Sequence, residues 1–65
     1  MSAIDGDLEL EIAAVKREIG YREYVYPRRV SEGKMTREKA DHELRMMVQV
    51  LARLEAMKPK DLFGG

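Results

Sequence analysis

The stretch Val30-Ser31-Glu32-Gly33-Lys34-Met35-Thr36-Arg37-Glu38 decides the fold. Gly33 stands where a helix ends in a left-handed residue, and Thr36 stands where a new helix takes its N-cap. Glu38 follows in the first turn of that second helix, while Lys39 occupies the place where a complete capping box carries Glu or Gln. This order predicts a helix, a turn at about 32–36, and a second helix. A connection that short between two long helices demands an antiparallel hairpin.

Working upstream, Leu8, Ile12, Val15 and Ile19 recur at three- and four-residue steps, and the stripe continues through Tyr26 and Val30. The period predicts a first helix over about 7–31. Asp5, Asp7, Glu9 and Glu11 complement its N-terminal dipole, with Asp5 or Asp7 as the candidate N-cap. Pro27 removes one backbone hydrogen bond, so the expectation is a kink there and not a stop. Downstream, Ala40, Leu44, Met47, Leu51 and Leu54 repeat with the same spacing and predict a second helix over about 37–57, ended by Pro59 after Lys58.

Counting outward from the turn sets a register. Val30 should meet Met35 and Ala40, Tyr26 should lie over Ala40 and Leu44, Ile19 near Met47, Val15 near Leu51, and Ile12 near Leu54. Gly20, which costs about 1 kcal/mol against Ala inside a helix, falls where Met46 or Met47 would cross. Either the helices approach closely at Gly20 or the glycine is simply tolerated.

Composition narrows the function classes. Sixty-five residues make one small domain, 1–58, with 59–65 as a tail, and such a chain usually needs a staple or a partner to complete its core. The absence of Cys removes disulfides, thiolate zinc sites and a cysteine nucleophile together. Twelve basic residues balance twelve acidic ones, so any electrostatic partner must be local. With no apolar run of membrane-spanning length and an acidic start, the expected location is the cytoplasm, or the host cytoplasm for a phage-encoded chain.

Each predicted helix carries more apolar surface than one partner helix covers. Leu10, Ala14, Tyr21 and Val25 lie beside the first stripe, and Met46, Val50 and Met57 beside the second. Leaving large apolar side chains in water forgoes about 1.5–3 kcal/mol each. Self-association into a four-helix bundle, most simply as a homodimer, is the expected remedy, and a groove for another protein is the alternative.

The chain offers little for chemistry. His42 lies among Asp41, Glu43 and Glu38, but Asp41 to Arg45 and Glu38 to His42 are ordinary four-residue surface pairs. No catalytic residue, metal ligand set or cofactor is predicted, because a two-helix layer offers no cleft and no phosphate-cradling glycine loop is present. The segment Tyr21 to Arg29 holds all three tyrosines beside three arginines, yet helical spacing assigns Tyr26 to the core, Tyr21 to the second face and Tyr24 to the exposed side. The alternative function is therefore nucleic-acid contact through the basic turn region, by Arg28, Arg29, Lys34, Arg37 and Lys39.

Two sets of residues carry resemblances. Arg22-Glu23-Tyr24-Val25-Tyr26-Pro27-Arg28-Arg29-Val30, then Gly33-Lys34-Met35-Thr36 and Lys39-Ala40-Asp41, resemble small proteins encoded by bacteriophages and prophages, over roughly residues 10–55. The second half is also similar to short helical oligomerisation modules at the ends of bacterial proteins, where a Gly-x-Ile-Thr-like turn precedes the helix; here Met35 replaces the Ile, and Pro27 departs from that pattern. Both resemblances imply a helical hairpin used for association, and neither supplies catalytic residues. In the tail, Asp61-Leu62-Phe63 is similar to the end of the peptide by which bacterial proteins dock on the replication sliding clamp, without its leading glutamine.

The expectation is an all-α antiparallel hairpin that dimerises into a four-helix bundle and acts as a non-catalytic interaction module.

Overall fold

A computed structural model of the chain describes residues 4–58. Two helices account for nearly all of them: α1, Ile4–Ser31, and α2, Arg37–Ala56. They pack against each other as an antiparallel hairpin, and no strand is present among the described residues.

The turn closes by backbone bonding. The Lys34 N–H donates to the Arg29 carbonyl at 2.9 Å and the Gly33 N–H to the Val30 carbonyl at 3.0 Å. This is the paired six-to-one and five-to-two pattern of a Schellman ending, which needs a left-handed residue, and Gly33 supplies it with φ of 75°. Three residues later the Thr36 hydroxyl accepts the Lys39 N–H at 3.1 Å, capping α2 from an extended backbone conformation. The Arg29 and Val30 carbonyls at the end of α1 and one N-terminal orphan donor of α2 are thereby satisfied within a few residues.

At the other end, α1 begins at Ile4, so Asp5 and Asp7 lie inside its first turns and neither is its N-cap. They contribute backbone to the helix where negative charge is favoured by the dipole. α1 is continuous through Pro27 to Ser31, although Pro27 has no N–H to offer the Glu23 carbonyl. Burial of Tyr26 on one side of the proline and partial burial of Val30 beyond it favour the extra turn.

The core is one seam. Leu8, Ile12, Ile19 and Tyr26 from α1 and Ala40 from α2 are buried, with Val15, Val30, Leu44, Met47, Leu51 and Leu54 half-buried along the same rows. Three ion pairs span the two arms of the hairpin: Arg22 to Glu43 at 3.7 Å, Lys16 to Glu55 at 3.6 Å, and Lys58, just past α2, to Glu9 at 3.5 Å. Tyr26, Val30, Ala40 and Leu44 come together around one groove, as the count from the turn requires. Gly20, in contrast, is exposed, and a Cβ there would meet nothing within 4 Å, so it is the tolerated glycine and marks no close helix approach. Among the described residues, no helix is long and apolar enough to cross a membrane.

Candidate interaction surface

The seam has one polar interruption. Stepping from Ile19 to Tyr26 by three and four residues lands on Arg22, in a row otherwise apolar. Its Nε donates to Glu18 Oε2 at 2.7 Å, its Nη1 lies 3.7 Å from Glu43 Oε1 on α2, and its guanidinium stands 6.0 Å from the centre of the Tyr26 ring. The hydrogen bond to Glu18, foremost, raises the Arg22 pKa above its usual range. Reading for apolar periodicity passes over Arg22; the available signal was a charge at a position the period assigns to the core.

The seven residues expected to line an interface are placed on one flank. At 3.6 residues per turn, Leu10, Ala14, Tyr21 and Val25 form one row on α1, and Met46, Val50 and Met57 form a row of matching spacing on α2. Both rows lie on the side of the hairpin that carries the Arg22–Glu43 pair, and the Lys16–Glu55 pair marks the opposite side. Leu10, Tyr21 and Met57 expose 69%, 58% and 66% of their surface; Met46 and Val50 are exposed too, and Val25 is half-buried. Tyr24 and Val48 are also exposed but lie outside these rows.

No side chain in the hairpin falls below 2% exposure among the described residues, which is the cost of building a core from a single seam. The exposed rows are the physical consequence, because the second apolar flank of each helix has no third element to cover it.

The basic turn region is more neutralised than its composition suggests. Arg28 lies over the Tyr24 ring at 5.3 Å and its Nη2 donates to the Tyr24 hydroxyl at 3.4 Å. Lys34 pairs with Glu32 at 3.6 Å and Lys39 with Glu43 at 3.8 Å. Arg37 faces the groove beside Asp41, and Arg29 is exposed. Of the five, Arg28, Lys34 and Lys39 thus have a partner within the chain.

His42 is exposed on α2. The expected surface pairs Asp41–Arg45 and Glu38–His42 are not formed within ion-pair distance; Glu43 instead bridges Lys39 and Arg22. Among the described residues, no three His, Cys, Asp or Glu side chains gather to hold a metal ion. The expectation of no cleft is corrected by one open groove of about 210 Å³, lined by Tyr26, Pro27, Val30, Ala40 and Leu44 with Ser31, Arg37 and Asp41. Its lining comes from the end of α1 and the start of α2, beside the turn. It is below the roughly 300 Å³ at which small-molecule sites begin. The Asp61-Leu62-Phe63 segment lies outside the described residues.

Comparison with known proteins finds no family model, no curated protein and no solved structure that matches this chain.

Proposed function

We propose that this hairpin is a non-catalytic self-association module, in which two copies cover each other's second flank to make a four-helix bundle. The observation that carries the reading is the pair of exposed apolar rows, Leu10-Ala14-Tyr21-Val25 and Met46-Val50-Met57, on one side of a two-helix layer. That layer spans 48 × 22 Å across the helix pair, ample for the roughly 800 Å² per partner that a stable interface buries. The resemblance of Arg22–Val30 and Gly33–Thr36 to phage-encoded and oligomerising hairpins agrees with this use.

Mass measured by light scattering over a concentration series, with helicity followed in the same samples, tests it. A dimer well above the 7.5 kDa chain mass is expected at low micromolar concentration. A folded helical monomer there would sink the reading.

A second reading is a nucleic-acid accessory role, favoured by five basic against two acidic residues across 28–39. Salt-sensitive binding to DNA or RNA that weakens in the Arg29→Ala/Arg37→Ala variant would support it. Unchanged binding in that variant would remove the turn from consideration.

A further inference from the structure

On the assumption that the hairpin self-associates as proposed above, we infer that the partner is a second copy stacked end over end: the turn of each hairpin lies over the open end of the other, and α1 packs along α1 of the second copy.

The inference comes from the order of residues along the exposed row of α1. Extended by its own period, that row reads Asp7, Leu10, Ala14, then Arg17 and Glu18 at its edges, then Tyr21, Val25 and Arg28. Reversing it about a point between Arg17 and Glu18 superposes complementary partners at every position. Asp7 meets Arg28 of the second copy, Leu10 meets Val25, Ala14 meets Tyr21, and Arg17 meets Glu18. Acid faces base, apolar faces apolar and small faces large, which is what an isologous two-fold contact requires of a single surface. The same operation brings the Val50 row of α2 over the level of Met47 in the second copy, at the centre of the face.

Charge argues against the other two-fold stacking, turn over turn. That arrangement would set Arg28, Arg29 and Lys39 of one copy against the same group of the other. Within a single hairpin, Asp7 and Arg28 are about 30 Å apart along α1. The screening length at physiological salt is roughly 8 Å. These charges cannot neutralise each other inside one chain, whereas end-over-end stacking pairs them twice. Among the described residues, its one like-charge contact sets Lys39 near Lys58 of the second copy, and both lysines already hold carboxylates, Glu43 and Glu9. Arg28 would leave a long, exposed 3.4 Å contact with the Tyr24 hydroxyl, and Glu18 keeps Arg22 as its intrahelical partner.

The test is a charge swap. Asp7→Arg and Arg28→Asp each create two like-charge contacts in a homodimer, and each should weaken dimerisation about tenfold at low salt. An equimolar mixture of the two variants restores both contacts, so a heterodimer of near wild-type affinity is expected. Each variant also loses a favourable helix-end charge, a cost that persists in the mixture, so recovery on mixing reports the interface alone. As a readout independent of these charges, Leu10→Cys mixed with Val25→Cys, in a chain that has no other cysteine, should oxidise to the mixed disulfide in preference to same-site disulfides. A dimeric wild type whose swap variants gain nothing on mixing, or which forms same-site disulfides preferentially, overturns the arrangement and leaves self-association standing. A monomeric wild type overturns both.

Discussion

Arg22 Nη1 lies 3.7 Å from Glu43 Oε1 across the helix pair, while the same guanidinium donates through Nε to Glu18 Oε2 of its own helix at 2.7 Å. One cation thus bridges two carboxylates on different helices, between Ile19 and Tyr26 of the α1 seam. The side chains remain 25% and 35% exposed, so the pair fixes register more than it adds stability. A double-mutant cycle on Arg22→Ala and Glu43→Ala should give a coupling of about 0.5 kcal/mol that shrinks with added salt. Thermal melts of the four chains at two salt concentrations check it; a coupling of zero would place the pair on the surface only.

Two glycines should respond in opposite directions. Gly33 has φ of 75°, so Gly33→Ala puts a Cβ into a strained left-handed residue and should cost about 1 kcal/mol. Gly20 sits mid-helix with open space around it, so Gly20→Ala should stabilise by up to about 1 kcal/mol through helix propensity and a less mobile unfolded chain. Denaturant unfolding at one fixed chain concentration separates the two effects, since mass action shifts the midpoint of any self-associating chain.

Thr36→Ala removes the acceptor of the Lys39 N–H and should cost about 1 kcal/mol. Thr36→Asp should recover the loss, because its carboxylate can accept the same bond and also meets the positive end of α2. Failure of Asp to rescue would mean that the hydroxyl serves packing and not capping.

Ile12 is the most buried side chain described, at 4% exposure, and Ile12→Ala should cost about 2–4 kcal/mol. In so thin a core that loss is expected to abolish cooperative unfolding, seen as a broad, shallow melt in circular dichroism.

On the exposed flank, Val50→Lys together with Met46→Lys should leave the hairpin seam intact but shift the mass toward monomer. The control is Val48→Lys, equally apolar and exposed but on the other side of α2, which should leave the mass unchanged. Equal effects of both changes would mean that α2 has no preferred flank.

The hairpin was legible because its determinants are local. Gly33 and Thr36 mark their own cap positions by backbone chemistry, and three- and four-residue steps from Leu8 to Val30 and from Ala40 to Leu54 need only the helical period. The second flank was also legible, because Tyr21, Val25, Met46 and Val50 declare by spacing that one seam cannot hold them. Register could be counted from the turn, since a short loop leaves the two helices no freedom to slide.

What only the tertiary structure decided depends on distances across the pair. Asp41 and Arg45, Glu38 and His42, and Lys39 and Glu43 satisfy the four-residue rule equally well on paper, yet of these only the last pair forms, and Glu43 also reaches Arg22 on the other helix. A spacing rule counts only partners on the same helix, while a carboxylate at the edge of the seam also meets cations from the opposite one. Gly20 could have marked a close crossing or a tolerated break; only the open space around it distinguished the two. The groove beside Ala40 was likewise invisible in one dimension, because its lining is shared between residues of both helices. Local chemistry determined which segments are helical and where they turn, and packing determined which side chains meet across them.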